Sequence, residues 1–215
     1  MDIKKDFIEF MTGAGVLTFG DFTAKSGRKT PYFVNTGNYK TGAQIARLGD
    51  YYAQCIQNSG EEFDALFGPA YKGIPLAVSA AASLYRDFGK DVPYFFNRKE
   101  AKDHGEGGAL VGYKPKDGDK IAIIEDVVTA GTAVRESIEL LSQVADVKIT
   151  ALYVSVDRME RGTGDLSALD ELREAHGIKV YPIITVKEII ASLPVGDERA
   201  ARMNAYLAQY GATEK

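Results

Sequence analysis

The hydrophobic positions follow a helical period near the start of the chain and then change to short, aromatic-rich runs. Apolar side chains recur at helical spacing across residues 2–12, and Gly13 and Gly15 end that pattern. Two strand-like segments follow, at residues 17–22 and 31–35, with a basic turn between them. This part of the chain therefore predicts a helix and a small antiparallel pair of strands beside a main sheet.

From Phe63 onwards, apolar runs alternate with amphipathic segments. These runs lack polar alternation, which is typical of strands buried on both faces of a parallel sheet. Alternation at this spacing predicts an α/β fold in which a mostly parallel sheet is flanked by helices. The predicted strands are 63–67, 92–96, 121–124, 147–156 and 179–185. The predicted helices are 41–57, 74–88, 132–144, 166–176 and 197–209.

The composition is that of an ordinary globular protein. Of the 215 residues, 45% are hydrophobic and 26% are charged, which suits one domain spanning residues 1–215. The net charge of -4 argues against a general nucleic-acid binder. No apolar stretch approaches the ~20 residues of a membrane span, and no signal peptide is evident, so we expect a cytoplasmic protein. The single cysteine, Cys55, is expected to pack in a helix rather than to react.

The strand at residues 121–124 carries the most specific candidate chemistry. It ends at two adjacent acids, Glu125 and Asp126, and residues 129–132 then cover the start of a helix. Ligands of parallel sheets bind beyond the carboxyl ends of the strands, and helix N-termini favour phosphate. Carboxylates beside anion donors indicate a sugar phosphate. The alternative is a strand end followed by an ordinary helix cap.

A second strand–helix junction, at residues 68–73, offers another anion site. Its glycines allow close approach of a ligand to the backbone, and Lys72 supplies a point charge. Taken alone, this loop is more simply interpreted as an ordinary strand–helix turn with a solvated lysine. Beside the first junction, it predicts a second phosphate site close to the first.

The chain loses its periodicity between residues 97 and 112. Several glycines and no periodic apolar residues predict a mobile loop, and a loop of this length inside a domain is typically a lid. By composition alone, a solvated flexible loop is the simpler interpretation. The loop's donors are Arg98, Lys99, Lys102 and His104.

Five segments together resemble the orotate phosphoribosyltransferase family, within the type I phosphoribosyltransferases. The strand, acid pair and Thr-x-Gly-Thr turn resemble the family's signature for phosphoribosyl pyrophosphate (PRPP). The other matches are K-S-G-R-x-x-P-Y-F at 25–33, G-P-A-Y-K-G-I-P at 68–75, R-K-E-x-K-x-H-G-x-x-G at 98–108 and V-D-R-M-E-R-G at 156–162. One departure is Val34, where the bacterial pattern often has a second aromatic residue.

The resemblance implies a type I phosphoribosyltransferase-like fold with a small N-terminal hood, formed by about residues 1–40, and a mobile lid at 98–111. It implies Mg²⁺-dependent transfer of ribose 5-phosphate from PRPP to orotate, giving orotidine 5′-phosphate and pyrophosphate in pyrimidine (UMP) biosynthesis. It further implies a homodimer in which Lys102 and His104 act in the neighbouring subunit's site. A strained or cis peptide between Ala70 and Tyr71 is also expected.

The resemblance assigns roles residue by residue. The expected catalytic residues are Lys102, Asp126 and His104. The expected PRPP-binding residues are Lys25, Tyr71, Lys72, Arg98, Lys99, Lys102, His104, Glu125, Asp126, Val127, Val128, Thr129, Ala130, Gly131, Thr132 and Ala133. The expected orotate-binding residues are Lys25, Phe33, Val34, Thr129 and Arg158. Mg²⁺ is expected to be held mainly through PRPP, without a set of protein ligands.

Two other functions remain open at this stage. One is a phosphoribosyltransferase for another base, and the other is a non-catalytic regulator that senses PRPP. Arg158 also has a simpler interpretation, as one member of an exposed ion pair in a loop. We assign no role to His176, which lies at a polar helix end.

Overall fold

A computed structural model describes residues 3–24, 27–100, 109–162 and 164–213. Its strands are β1 (Leu17–Thr23), β2 (Lys29–Val34), β3 (Ala65–Phe67), β4 (Tyr94–Asn97), β5 (Leu110–Gly112), β6 (Lys120–Glu125), β7 (Lys148–Asp157) and β8 (Lys179–Thr185). Its α-helices are α1 (Ile3–Gly13), α2 (Gly42–Ser59), α3 (Gly73–Phe88), α4 (Thr132–Val144), α5 (Ala168–His176), α6 (Val186–Ser192) and α7 (Glu198–Tyr210), and a 3₁₀ turn spans Thr36–Asn38.

The main sheet of the described residues has the strand order β5-β4-β3-β6-β7-β8. All its neighbouring strands pair in parallel except β4 and β5, which are antiparallel. The four apolar residues at 121–124 are fully buried because the sheet is covered on both faces. One core packs against α2 and α3, and a second packs against α4 and α5. The predicted α/β class and mostly parallel sheet are therefore confirmed.

A separate antiparallel hairpin of β1 and β2 lies beside the main sheet, as the N-terminal pattern predicts. Helix α7 packs against β2, and α1 packs against both β1 and α6. Tyr32 of β2 is fully buried, and its ring meets that of Tyr206 on α7 edge to face, with 6.2 Å between centroids. The hairpin is therefore held by helices from both ends of the chain.

Two elements were absent from the sequence prediction. Strand β5 has only three residues and pairs with β4 at the edge of the sheet, and it includes Leu110 and Val111, two residues of the predicted lid. Helix α6 begins directly where β8 ends, with Thr185 and Glu188 forming a capping box. Residues 101–108 of the lid lie outside the described residues.

Two residues with no expected chemistry lie away from the sheet's carboxyl edge. Cys55 packs partly buried against the core, and burial raises the pKa of its thiol to about 12. His176 is exposed in the last turn of α5. Within the part of the chain that the structure describes, no helix is long and apolar enough to cross a membrane.

Candidate active site

The carboxyl ends of β3 and β6 open into a cavity of about 330 Å³. Two segments line it: residues 69–72, which follow β3, and residues 125–134, which begin at the last residue of β6. These are the two strand–helix junctions that the sequence singled out. Their side-by-side position follows from the parallel pairing of β3 with β6, which brings both strand ends to one edge.

The loop at residues 129–133 leads into α4 without a side-chain cap. Gly131 is the N-cap residue, with φ 74°, and no side chain accepts from the first turn. The backbone N–H groups of that turn are therefore available to an anion in the cavity. Arg135 holds the loop from behind, because its Nη1 donates to the carbonyl of Ala130 at 2.7 Å and its Nη2 donates to Glu171 at 2.7 Å.

The loop at residues 68–73 is closely packed. The peptide between Ala70 and Tyr71 is cis, as the resemblance led us to expect. A Cβ atom on Gly68 would lie 2.2 Å from the carbonyl oxygen of Gly73, so this turn requires glycine. Asn97, at the end of β4, accepts a hydrogen bond from the Ala70 N–H at 2.7 Å through Oδ1. Sequence reasoning did not identify Asn97 as part of the site.

The acid pair is buried at the end of β6, with each residue 8% exposed. Lys72 Nζ donates to Asp126 Oδ2 at 2.7 Å, which brings the two junctions into direct contact. The hydroxyl of Thr36 donates to the same oxygen and accepts from Lys72 at 3.1 Å. Sequence reasoning also missed Thr36, which reaches the site from the turn after β2.

Hydrogen bonds from α2 and β7 fix the backbone of the acid pair. The hydroxyl of Tyr52 on α2 donates to the carbonyl of Glu125 at 2.8 Å. Ser155 on β7 donates to the carbonyl of Asp126 from both its N–H, at 2.9 Å, and its Oγ, at 2.7 Å. The two carboxyl groups therefore project from a rigid strand end.

The two carboxyl groups differ in their tendency to ionise. Burial, reinforced by the neighbouring charge of Asp126, raises the pKa of Glu125 to about 7. Burial also opposes ionisation of Asp126, but hydrogen bonds from Lys72 and Thr36 outweigh it and lower the pKa of that carboxyl. Asp126 therefore ionises at a lower pH than Glu125.

Arg158 follows β7 and lies in a buried ion pair. Its Nε and Nη2 both donate to Oε1 of Glu160, at 2.9 and 2.6 Å, and its guanidinium carbon lies 4.9 Å from the centroid of the Tyr32 ring. The side chain is only 12% exposed. The simpler interpretation of Arg158 is thus right about the ion pair and wrong about its exposure.

The remaining expected residues lie in different surroundings. Phe33 is 37% exposed and stacks on Phe22, with ring centroids 5.6 Å apart, whereas Val34 packs against the core. Lys99 Nζ lies 5.7 Å from the centroid of the Tyr71 ring; Tyr71 lines the cavity and Lys99 does not. The backbone N–H of Arg98 donates to the carbonyl of Ala109 at 2.8 Å. Lys25, Lys102 and His104 lie outside the described residues.

The cavity brings together a large part of the expected PRPP site. The expected residues that line it are Tyr71, Lys72, Glu125, Asp126, Val127, Val128, Thr129, Ala130, Gly131, Thr132 and Ala133. Phe33, Val34 and Arg158 do not line it. Across the described ranges, no group of three or more His, Cys, Asp or Glu residues is suited to hold a metal ion.

Comparison with known proteins points to one family. The phosphoribosyl transferase domain family matches residues 35–174. The orotate phosphoribosyltransferase of Clostridium beijerinckii is 52% identical, over 97% of this chain and 98% of its own. That of Lachnoclostridium phytofermentans is 53% identical, over 97% of each. The crystal structure of the Francisella tularensis orotate phosphoribosyltransferase has a TM-score of 0.88 at 40% identity, covering 96% of this chain and 100% of that one.

Proposed function

Because this chain belongs to the orotate phosphoribosyltransferase family, we propose that it transfers ribose 5-phosphate from PRPP to orotate, with Mg²⁺, giving orotidine 5′-phosphate and pyrophosphate in the synthesis of pyrimidine nucleotides. One observation carries the proposal. A buried carboxylate, an ammonium group and an uncapped helix N-terminus line a single cavity at the sheet's carboxyl edge.

The residues of the cavity suit the charges of this reaction. As the bond from ribose C1 to pyrophosphate breaks, positive charge grows on the sugar and negative charge grows on the leaving group. Asp126, ionised and rigidly held, is proposed to stabilise the sugar's charge and, together with Glu125, to hold its hydroxyls. The N–H groups and hydroxyls of residues 129–133 would bind the 5-phosphate. Such preorganised groups are worth roughly 2.7–4 kcal/mol each in the transition state.

The leaving group would lie against the 68–73 loop and the lid. The Lys72 side chain is 60% exposed and its Nζ donates to Asp126, so its ammonium group lies between the two junctions. Arg98, Lys99, Lys102 and His104 would complete the cationic surroundings of the pyrophosphate, with Lys102 as the main catalytic cation. Closure of the lid would exclude water and strengthen these interactions.

Orotate would be recognised by its carboxylate. Among the described residues, the hydrogen bonds of Arg158 use Nε and Nη2 and leave Nη1 for a ligand. A guanidinium group binds a carboxylate through two parallel hydrogen bonds. Lys25, Phe33, Val34 and Thr129 are the other residues we propose to contact orotate.

Mg²⁺ is proposed to bind this site mainly through the oxygens of PRPP. Among the described residues, the acids that line the cavity are Glu125 and Asp126, and Asp126 already accepts from Lys72, which leaves few oxygens for an all-protein cage. Mg²⁺ characteristically keeps several waters and binds through substrate phosphates. When bound with PRPP, it would neutralise charge on the pyrophosphate.

We propose a homodimer in which the lid reaches the partner's cavity. Val78 on α3 is 39% exposed and lines a largely apolar groove together with Ile45 and Pro75. Tyr85, two turns further along α3, is 64% exposed. Exposed apolar surface of this kind suits burial against a second copy. One domain spanning residues 1–215 and a cytoplasmic location complete the proposal, and the single cysteine suits a reducing compartment.

The direct test of the reaction is pyrophosphate release from PRPP in the presence of orotate and Mg²⁺. Uracil and hypoxanthine serve as alternative acceptors, and we expect turnover with orotate alone. Turnover with another base in place of orotate would move the assignment to a different phosphoribosyltransferase. Absence of pyrophosphate with all three bases would favour a PRPP-sensing regulator.

Mixed subunits test the shared site. Lys102→Ala and Asp126→Asn proteins are each expected to be inactive, and their mixture is expected to recover about a quarter of wild-type activity if subunits exchange at random. Subunit exchange is measured separately, for example with differently tagged chains, so that a failure to exchange is not mistaken for a failure to recover activity. Exchange without recovered activity would contradict a lid that acts in the neighbouring subunit.

A further inference from the structure

We propose that Glu160 is the positioning residue of the orotate site, which fixes the Arg158 guanidinium in the orientation that receives the orotate carboxylate. This inference rests on the proposed function of Arg158. Glu160 lies in the V-D-R-M-E-R-G match at 156–162, which assigns it no role, and it does not line the main cavity. The role is inferred from three hydrogen bonds, two from Arg158 and one from Tyr32, that Oε1 of Glu160 accepts.

The first contact set is the fork between the two side chains. Nε and Nη2 of Arg158 both donate to Oε1 of Glu160, at 2.9 and 2.6 Å. A planar guanidinium held at two nitrogens cannot rotate about its own axis. Its opposite edge, which includes Nη1, is therefore presented in one fixed direction, as bidentate recognition of a second carboxylate requires.

The hood contributes the second contact set. The hydroxyl of Tyr32 donates to the same Oε1 atom of Glu160 at 3.1 Å, and the Tyr32 ring lies under the Arg158 guanidinium. Tyr32 is fully buried and sits in the strand next to Phe33. One tyrosine thus braces both members of the ion pair from the same side.

The backbone that carries Glu160 is also fixed. Glu160 pairs with Gly211 in a short antiparallel bridge, and the N–H of Arg161 donates to the carbonyl of Tyr210 at 2.9 Å. Arg28 donates to the carbonyls of Arg161, at 3.0 Å, and Gly162, at 3.3 Å. The segment at residues 158–162 is therefore held between the hood hairpin and the end of α7.

Charge supplies the energetic reason for the pair. The side chains of Arg158 and Glu160 are 12% and 17% exposed, so each is largely removed from water. Removing one partner of such a pair leaves an uncompensated buried charge. Without Glu160, we expect the guanidinium to turn towards solvent and to lose its orientation towards orotate.

The test compares two nucleotides that differ only in the carboxylate. Orotidine 5′-phosphate carries the orotate carboxylate, and uridine 5′-phosphate has the same ribose 5-phosphate and ring without it. Calorimetric affinities are measured for wild type, Glu160→Gln and Glu160→Ala. Because hydrogen bonds to charged groups are the strong ones, Glu160→Ala is expected to weaken binding of orotidine 5′-phosphate by about tenfold or more. Binding of uridine 5′-phosphate should change by less than about twofold.

The conservative variant separates positioning from general damage. Glu160→Gln keeps the shape and one acceptor oxygen, so its affinity for orotidine 5′-phosphate should fall between those of wild type and Glu160→Ala. If the alanine variant does not fold, Glu160→Gln alone provides the test. Glu61→Gln is the matched control, because Glu61 also accepts from a tyrosine hydroxyl and a cation, Tyr181 and Lys179, away from the cavity. That variant should bind both nucleotides as wild type does.

Arg158→Ala distinguishes the two levels of the proposal. If Arg158→Ala weakens orotidine 5′-phosphate selectively and the Glu160 variants do not, the positioning role is wrong and the proposed function stands. If Arg158→Ala has no selective effect, the proposed orotate contact itself fails. Equal weakening of both nucleotides in the Glu160 variants would assign Glu160 a purely structural role and overturn the inference.

Discussion

Glu125 and Asp126 are neighbours in the chain, yet their carboxyl groups have opposite partners. Asp126 receives an ammonium group and a hydroxyl, whereas Glu125 is buried with a carboxylate beside it. The strand end therefore stabilises the negative charge of Asp126 more strongly than that of Glu125. While Glu125 holds its proton, Asp126 can stabilise a cationic sugar and Glu125 can donate to a hydroxyl.

The raised pKa of Glu125 makes stability depend on pH. Above its ordinary value of 4.5, the unfolded chain has lost the proton while the folded protein keeps it until pH about 7. Stability should therefore fall as pH rises through this window, by up to about 3 kcal/mol. Glu125→Gln should remove the fall, so denaturant unfolding of both proteins between pH 4.5 and 8 checks it. Parallel curves would contradict the raised pKa.

Thr36 should affect the acid limb of the reaction. Its hydroxyl helps to lower the pKa of Asp126, so Thr36→Val should raise that pKa and shift the acid limb of kcat/KM upwards by about half to one pH unit. Thr36→Ser keeps the hydroxyl and serves as the matched control. An unchanged profile in a folded Thr36→Val protein would show that Lys72 alone holds Asp126 ionised.

The residues that sequence reasoning missed share one property. Thr36 contacts Asp126 across 90 positions, and Asn97 contacts Ala70 across 27. Neither contact leaves a periodic or motif-like trace, because each depends on how strands are ordered in the sheet. Glu125 and Asp126 could be predicted since they directly follow an apolar run, whose end is visible in the sequence.

Helices α3 and α4, which follow the two strand–helix junctions of the cavity, both begin without a side-chain cap. Helices α2, α5, α6 and α7 carry side-chain caps, whereas α4 has only Gly131 at its N-cap position. Its first turn is shaped instead by Arg135, which holds the Ala130 carbonyl. The N–H groups at the start of α4 therefore lack a side-chain acceptor, and a bound anion can accept from them instead.

Loss of Arg135 should weaken the phosphate site selectively. Arg135→Ala releases the Ala130 carbonyl and should raise the KM for PRPP by about tenfold, since a charge-assisted hydrogen bond is lost, while the KM for orotate stays close to that of wild type. Steady-state kinetics with each substrate varied provide the measurement. Arg173→Ala, which breaks an ion pair with Asp170 on α5, is the control. Equal rises in both KM values would point to general loosening.

The elements themselves were predictable to the extent that their patterns were long enough. Strand β7 and helix α4 were found with boundaries within one or two residues, because ten and thirteen residues hold a clear period. Strand β5, with three residues, holds none. Helix α6 was missed because β8 runs into it at Thr185 without the polar break that normally separates elements.

At the scale of the whole molecule, the exposed face of α3 makes a prediction about assembly. Tyr85→Glu places a charge on the apolar surface proposed to face a second copy, so it should yield monomers. Since the lid is proposed to act in the neighbouring subunit, activity should fall by at least about a hundredfold, the effect of losing one well-placed catalytic group. Light scattering and the pyrophosphate assay check both points.

The control for this variant lies on a different exposed surface. Val195→Glu adds the same charge at a fully exposed position in the loop before α7, so it should stay dimeric and active. An active monomer of Tyr85→Glu would contradict the shared site. A dimeric Tyr85→Glu protein would place the interface elsewhere.

The contacts that hold residues 158–162 between the hood hairpin and the end of α7 also bear on folding during synthesis. Arg28 reaches Arg161 across 133 positions, and Lys4 reaches Glu188 across 184. Contacts so distant in sequence form slowly, and a chain is synthesised from its N-terminus at roughly 5–20 residues per second. The cavity and the residues that hold it extend to Glu171, so they are synthesised before α7, which begins at Glu198, and the hood must wait for α7. The nascent chain would therefore complete its sugar-phosphate site before the segment that carries Arg158 is fixed.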